Sequence, residues 1–431
     1  MDTNNSTPNP SDIANVVLPG ASTEKSGVQK SLVVLGAAVG LGSGFAPMYF
    51  STLSVFLKPV AAEFSWGRAE TAGAGVLSML GLAIGSVLVG RCIDRFGPAR
   101  IILASVALMA LLINLLARVG NDPLLFGGLS FLIGVVGAAT TPPGYLSVLA
   151  MWFNKRLGLA LGLAGVGMGV GTVLAPMITQ GFIAQYGWRG AYLHLSLWAA
   201  AFGALACILM FLPRNHLPLA RREGTPYKSS VPGETVSEAL RRGRFWLLSA
   251  VILVVSASSL GVSIHLVSLV TDLGVSASDG ARVAALTGVG VVLGRLVCGA
   301  VLDVYPAPRI AALSFALASA GTALLASGAP TGFASVAMCG LMIGFAIGAE
   351  GDFIPFFVRR YFGLRAFGSI YGLLFFAFAI GGLLGPIAFG ARFDGSHSYA
   401  QPLWVAATGL ALAAVAVLRL GPYHYASPHH S

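Results

Sequence analysis

The chain is built from one unit used twice. Gly81, Gly85, Gly90, Asp94 and Arg100 return as Gly290, Gly294, Gly299, Asp303 and Arg309, each pair 209 positions apart. Arg156 and Arg365 keep that spacing, while Gly162/Gly372, Gly171/Gly381 and Pro176/Pro386 stand 210 apart, a slip that one inserted residue explains. A duplicated sequence folds into two equivalent halves. Within each half, apolar stretches recur at the length a helix needs to cross a bilayer, about 20 residues. Hydrophobic residues make up 56% of the chain and charged residues 10%, which excludes a soluble globule.

The pattern gives twelve spans: 31–58, 70–90, 99–118, 124–152, 157–186 and 190–212, then 244–271, 280–303, 309–328, 331–358, 366–391 and 399–420. The expected fold is an all-α membrane protein with two pseudo-symmetric six-helix bundles, 31–212 and 244–420. Residues 1–30, rich in Ser, Thr, Asn and Pro, read as a disordered tail, 213–243 as a polar linker and 421–431 as a second tail. Thr235-Val-Ser-Glu238 opens a short amphipathic helix with a capping box. No cleavable leader precedes the first span, which is therefore expected to be retained.

A net charge of +10 raises the question of nucleic acid, but the distribution argues against it. Of 26 Lys and Arg residues, nineteen fall on the side of Trp152 and six on the other, with Arg295 left inside. We call the richer side the basic face. The positive-inside rule puts it, with both termini, in the cytoplasm of a multi-pass inner-membrane protein. Trp66 and Trp188 are expected in one aromatic belt, Trp152 and Trp246 in the other. Cys92, Cys207, Cys298 and Cys339 lack paired spacing, so neither a disulfide framework nor a metal site is expected, and no motif calls for a cofactor.

The fifth span begins at Trp152-Phe-Asn-Lys155-Arg156 and carries Gly158/Gly162, Gly165/Gly169 and Gly167/Gly171, each pair four apart. That spacing stacks small residues on a helix face and lets another backbone approach closely in lipid. Pro176 favours a bend, and Pro386 repeats it in the eleventh span. In the fourth span Thr140-Thr-Pro-Pro-Gly-Tyr145 frees backbone carbonyls in mid-membrane, so Tyr145 faces either a pocket or a packed neighbour.

Between the second and third spans, Gly90-Arg-Cys-Ile-Asp94-Arg95-Phe-Gly97-Pro-Ala-Arg100 reads as a tight turn in which Asp94 pairs with nearby guanidinium groups. This loop, its degraded repeat, the twelve spans and the duplication resemble the major facilitator superfamily over nearly the whole chain. The resemblance implies that Asp94, Arg95, Lys155, Arg156, Asp303 and Arg365 latch conformations and do not touch cargo. Trp152-Phe153, Lys155-Arg156-Leu157, Leu159-Ala160, Gly162, Ala164 and Gly167 are similar to the fifth-helix signature of monocarboxylate porters, with Trp152 for the usual Tyr and Val166 for a small Ala.

Arg295, Glu350 and Asp352 are the charges deepest in the spans, with His265 and His194 as further titratable groups. A central charge costs about 2.5–3.5 kcal/mol on insertion scales, so each invites a functional reading. Arg295 follows Gly290-x-x-x-Gly294 and presents a planar fork that matches a carboxylate; its repeat mate is Ser86. It binds an anion or pairs with Glu350 or Asp352. It matches the eighth-helix arginine that holds the substrate carboxylate in monocarboxylate porters. The Asp that animal members place four residues earlier is Val291 here, and their first-helix lysine is Ser51. Any proton coupling therefore needs other groups. Glu350 and Asp352 are the candidates, or else they form a latch with Arg309, Arg359 or Arg360. Tyr49 and His265 complete the candidate cargo set, His265 standing between pocket and packing.

The expected function is secondary transport of small organic anions, monocarboxylates first, with protons, by a monomer. The alternatives are proton-coupled drug or metabolite efflux, whose fifth-helix Gly-Gly ending is missing after Pro176, and oxalate/formate-type exchange, whose eleventh-helix lysine is missing. Nothing in the chain provides a nucleotide loop, a metal constellation or a catalytic domain, so an enzyme is not expected.

Overall fold

The computed structural model describes residues 27–212, 232–330 and 332–425. The first tail up to residue 26, the linker from 213 to 231 and the chain after 425 lie outside the described residues. The remainder is helical. The first span comprises α1 (Gly27–Gly42), a wide turn at Ala46–Phe50 and α2 (Leu53–Phe64). Then come α3 (Arg68–Phe96) and α4 (Pro98–Leu116), followed by α5 (Pro123–Gly137) and α6 (Pro142–Trp152), which share the fourth span. α7 (Leu157–Phe211) holds the fifth and sixth spans, divided at Gly187, where φ of 68° and ψ of 173° interrupt the helix.

In the second half α8 (Val236–Arg241) leads into α9 (Gly243–Asp272), α10 (Ala277–Leu302), α11 (Ala307–Ala326), α12 (Phe333–Phe357), α13 (Phe367–Ser396) and α14 (Ala400–Val417). With the division at Gly187, the count is the expected twelve spans. Exposed Leu103, Leu111, Leu313, Val405 and Leu412 give the outer surface the apolar character that lipid requires. Thr235 and Glu238 form the expected capping box at α8, each side chain bonding the other's backbone amide.

Proline explains the breaks in the first half. Pro47 lies in the wide turn, and Pro142 starts α6 after a tight 3-10 turn at Ala138–Thr140. The two irregular points satisfy each other. The Phe45 amide donates to the Thr140 hydroxyl at 2.9 Å, so the interrupted backbone finds a protein partner rather than lipid. Pro176 stays within helical backbone, and the break falls at Gly187 instead.

Each glycine face has an identifiable partner. Gly167 and Gly171 leave no room for a Cβ against the backbone of α1, at Ala38 and Gly42. Gly381 and Gly385 do the same against α9, at Leu253 and Ala257. These contacts hold each bundle together. A second set joins the bundles: Gly158 and Gly162 lie on the carbonyls of Gly299 and Arg295, while Gly368 and Gly372 lie on those of Gly90 and Ser86. Ser86 adds a hydroxyl bond of 2.9 Å to the Gly372 carbonyl. Gly90 thus belongs to this seam; the tight turn after α3 is made by Gly97, at φ 84°.

Two carboxylates close the seam at the basic face. Asp94 accepts the amides of Gly368 and Ser369 at 2.9 and 2.7 Å. Asp303 accepts those of Gly158 and Leu159 at 2.9 and 3.0 Å. The first-turn amides of a helix have no intrahelical acceptor, and an anion there also meets the positive end of the helix dipole. The paired amides are 210 positions apart, so the helix starts correspond as Arg156 to Ala366. The inserted residue therefore precedes α13, and Arg365 is not the structural mate of Arg156.

The two seams differ toward the opposite face. Met79 still reaches Gly382, whose added Cβ would lie 3.7 Å from the Met79 Cε. The repeat mate of Met79 is Gly288, and a Cβ there would meet nothing within 4 Å. Gly169, one turn beyond Gly165 on the same face, is equally open. Gly162→Val should therefore collide with the Arg295 carbonyl and lower the unfolding temperature in detergent, at an overpacking cost of about 1–3 kcal/mol. Gly169→Leu should leave that temperature unchanged; equal loss in both would contradict the difference between the two positions.

Candidate functional site

Arg295 projects from α10 into the space between α12 and α7. It is 5% exposed, and its Nη1 lies 3.4 Å from Oδ1 of Asp352, which is wholly buried. The distance is long for a charge-assisted bond, whose usual range is about 2.7–2.9 Å. On the other flank the guanidinium rests on Gly165 of α7, where any Cβ would collide with Nη1. Gly351 of α12 completes the slot, a Cβ there falling 3.4 Å from Nη2. Glycine is required at position 165 because the guanidinium occupies the volume of its side chain.

Around this slot Nε of Arg295, Oδ2 of Asp352 and the hydroxyl of Tyr371 have no hydrogen-bond partner among the described residues; neither has Oε1 of Glu350, elsewhere on α12. Glu350 is 4% exposed and Tyr371 fully buried. The Tyr371 hydroxyl, on α13, lies within electrostatic reach of both Asp352 and Arg295. Buried polar atoms are normally satisfied, and unsatisfied ones cluster where a ligand or a proton is handled. Sequence reasoning missed Tyr371, since Gly368-x-x-Tyr371-Gly372 reads as helix packing, which Gly368 and Gly372 do provide against α3.

The other candidates lie in separate networks. Tyr49 is fully buried in the first bundle and donates to the Ser130 hydroxyl at 2.6 Å. Tyr145 lies packed beneath Gly40 of α1, where a Cβ would collide with its ring, and its hydroxyl has no partner among the described residues. His265 binds the Pro386 carbonyl through Nε2 at 3.1 Å and faces the Tyr399 hydroxyl through Nδ1 at 3.3 Å. A carbonyl only accepts, so Nε2 carries a hydrogen. His194 lies elsewhere again, with Nδ1 2.8 Å from the Gly190 carbonyl and its ring stacked on Phe182 and Tyr186.

At the basic face Arg95, Lys155, Arg156 and Arg365 are exposed, Arg95 lying over the Phe96 ring. Between the bundles there, the two aspartates bond backbone amides, which the loop pattern did not foretell, and Arg359 donates to Oδ1 of Asn154 at 3.3 Å. At the opposite end Glu63 accepts from the Trp188 indole at 2.6 Å and pairs with Arg189, which also reaches the Val119 carbonyl. Trp66 bonds Asn121 at 2.6 Å. Trp66, Trp152 and Trp188 are buried in packing rather than displayed in belts, and Trp246 is exposed.

Proteins similar to this chain in sequence and in fold include transporters. The chain is 28% identical to monocarboxylate transporter 13 of Bos taurus over 90% of its length and 86% of that protein. It is 29% identical to a probable nitrate/nitrite transporter, NarK2, of Mycobacterium tuberculosis, over 78% of this chain and 82% of that one. A bacterial homologue of the iron transporter ferroportin, solved in an outward-facing state, shares the fold with a TM-score of 0.72 at 14% identity, covering 91% and 99% of the two chains. Residues 39–386 match the family described as Major Facilitator Superfamily, and the chain belongs to that family of transporters.

Proposed function

We propose that this transporter moves small organic anions, monocarboxylates foremost, together with protons across the inner membrane by alternating access. The observation that carries the reading is the Arg295 guanidinium, buried between the bundles and held by Asp352 at only 3.4 Å. A cargo carboxylate offers two oxygens in the geometry of the fork and displaces that loose partner. Asp352 then loses its stabilising cation, and either it or Glu350 takes the proton. The names of the bovine and mycobacterial relatives, both anion carriers, support the anion class.

In this reading the basic face and both termini are cytoplasmic, the protein acts as a monomer, and the present conformation opens to the other side. Asp94 and Asp303 are the latches, flanked by Arg95, Lys155, Arg156 and Arg365. When the opposite end closes, α7 and α10 meet along the face that Gly169 and Gly288 leave open. Tyr371 joins the cargo layer, and Tyr145 is its candidate from the first bundle. Tyr49 and His265 hold the walls.

Uptake of labelled carboxylates and nitrate into proteoliposomes, with and without a pH difference, tests the reading. Carboxylate uptake driven by the gradient is expected, and transport of nitrate alone would move the assignment to inorganic anions. Arg295→Lys keeps the charge but loses the fork, so affinity should fall about ten- to a hundredfold, the worth of one charged hydrogen bond; unchanged affinity in Arg295→Ala would remove the residue from the site. Glu350→Gln or Asp352→Asn should abolish accumulation against the gradient and spare counterflow, which moves no net proton. If both variants still accumulate cargo, protons take another route. Gly169→Leu should insert and fold normally yet stop turnover, and normal turnover would mean that α7 and α10 do not close on that face.

A further inference from the structure

α7 and α13 both begin without a cap of their own. A helix start usually carries Ser, Thr, Asp or Asn in extended backbone, and that side chain accepts from the second or third amide. At α7 the position is held by Arg156, whose side chain only donates, and at α13 by Ala366. The amides of Gly158 and Leu159, second and third in α7, go instead to Asp303 of the other bundle. Asp303 thus caps α7 from outside, and that cap is lost whenever the bundles part at the basic face.

The turn before α7 holds a substitute. Asn154 is exposed, stands two positions before Arg156 and belongs to the residue types that cap best. Its Oδ1 accepts here from Nη2 of Arg359, just after α12, at 3.3 Å. Arg359 and Asp303 belong to the same bundle, so the separation that removes Asp303 also frees Asn154. Arg156 lies at φ 59° and ψ 32°, a left-handed conformation that is unfavourable for any residue with a Cβ. If Lys155 and Arg156 turn right-handed, α7 gains two residues at its start. The amides of Arg156 and Leu157 then stand second and third after Asn154, where its side chain can accept them. Asp303 is not left isolated by the exchange, because Arg360 of its own bundle lies within electrostatic reach.

α13 has no such reserve. The residue 210 positions after Asn154 is Leu364, and Gly363-Leu-Arg-Ala366 contains no Ser, Thr, Asn or Asp. The end of the linker also pins that turn: the Leu364 amide donates to the Pro232 carbonyl at 3.0 Å and the Glu234 amide to the Phe362 carbonyl at 2.8 Å.

We propose that Asn154 is a positioning residue of the transport cycle, taking over the start of α7 from Asp303 when the basic face opens. The exchange rests on the alternating access assigned above and is independent of the cargo. Arg359 holds Asn154 in reserve in the present conformation, and the strain at Arg156 is released in the other.

The test measures the distance between spin labels at Arg100→Cys and Arg309→Cys, one exposed site per bundle at the basic face, in the full-length protein in nanodiscs. Cys92, the one cysteine that is not buried, is replaced by serine. Asp303→Asn keeps the shape of that side chain and weakens its hold on the amides, so a longer distance should appear beside the short one. In that background Asn154→Gln keeps an amide for Arg359 but caps poorly. It should lower the ratio of open to closed form about fivefold, the worth of one N-cap. Asn154→Ser caps but loses its reach to Arg359, and should keep or raise the ratio, as should Arg359→Ala. A ratio unchanged in Asn154→Gln, or lowered equally by Asn154→Ser, overturns the exchange while leaving alternating access intact. A single short distance in every variant overturns alternating access at this face, and the exchange with it.

Discussion

The contact on which this architecture depends is between a carboxylate and the first amides of a helix in the opposite bundle. Asp94 and Asp303 each supply it once, to α13 and α7. Four amide hydrogens that would otherwise have no partner are satisfied across the junction, and the anion lies at the positive end of each helix dipole. Each acid serves the other bundle in this way, because both donor helices belong to the opposite half. The close approach of Gly158 to Gly299 and of Gly368 to Gly90 brings the amides within range.

The duplication that makes these contacts twofold is then broken where chemistry needs it to be. Arg295 occupies the place of Ser86, and Gly165, whose counterpart at the 210 spacing is Phe375, makes room for the longer side chain. One seam keeps a serine that bonds a carbonyl; the other gains a cation against a glycine. A little farther along, Met79 fills its seam and Gly288 does not. The seam with the charge is thus also the less filled of the two at that level.

Much of this was legible in the chain. The spans, the duplication and the faces of the glycine ladders follow from spacing, because helical period fixes which residues share a side. Spacing does not say what lies opposite. It could not tell that Gly167 and Gly171 serve α1 while Gly158 and Gly162 serve α10, nor that Asp94 would accept the first amides of α13. Trp66 and Trp188 looked like interfacial anchors until Asn121 and Glu63 were found beside them. Arg295 and Asp352 stood out as charges in apolar sequence, whereas Tyr371 acquired meaning only from its neighbours. The inserted residue was visible as a slip in register, and its position before α13 needed the paired helix starts.

The glycine seam has an entropic consequence. Most side chains lose rotamer freedom when an interface closes over them, up to about 2 kcal/mol for a long one, and glycine has none to lose. Where Gly158, Gly162, Gly368 and Gly372 meet backbone, closing and parting exchange few frozen rotamers. That keeps the two arrangements close in free energy, within the few kcal/mol by which a small ligand's differential binding can shift a population. A seam of interdigitated leucines would hold the bundles in one arrangement beyond the reach of any such cargo.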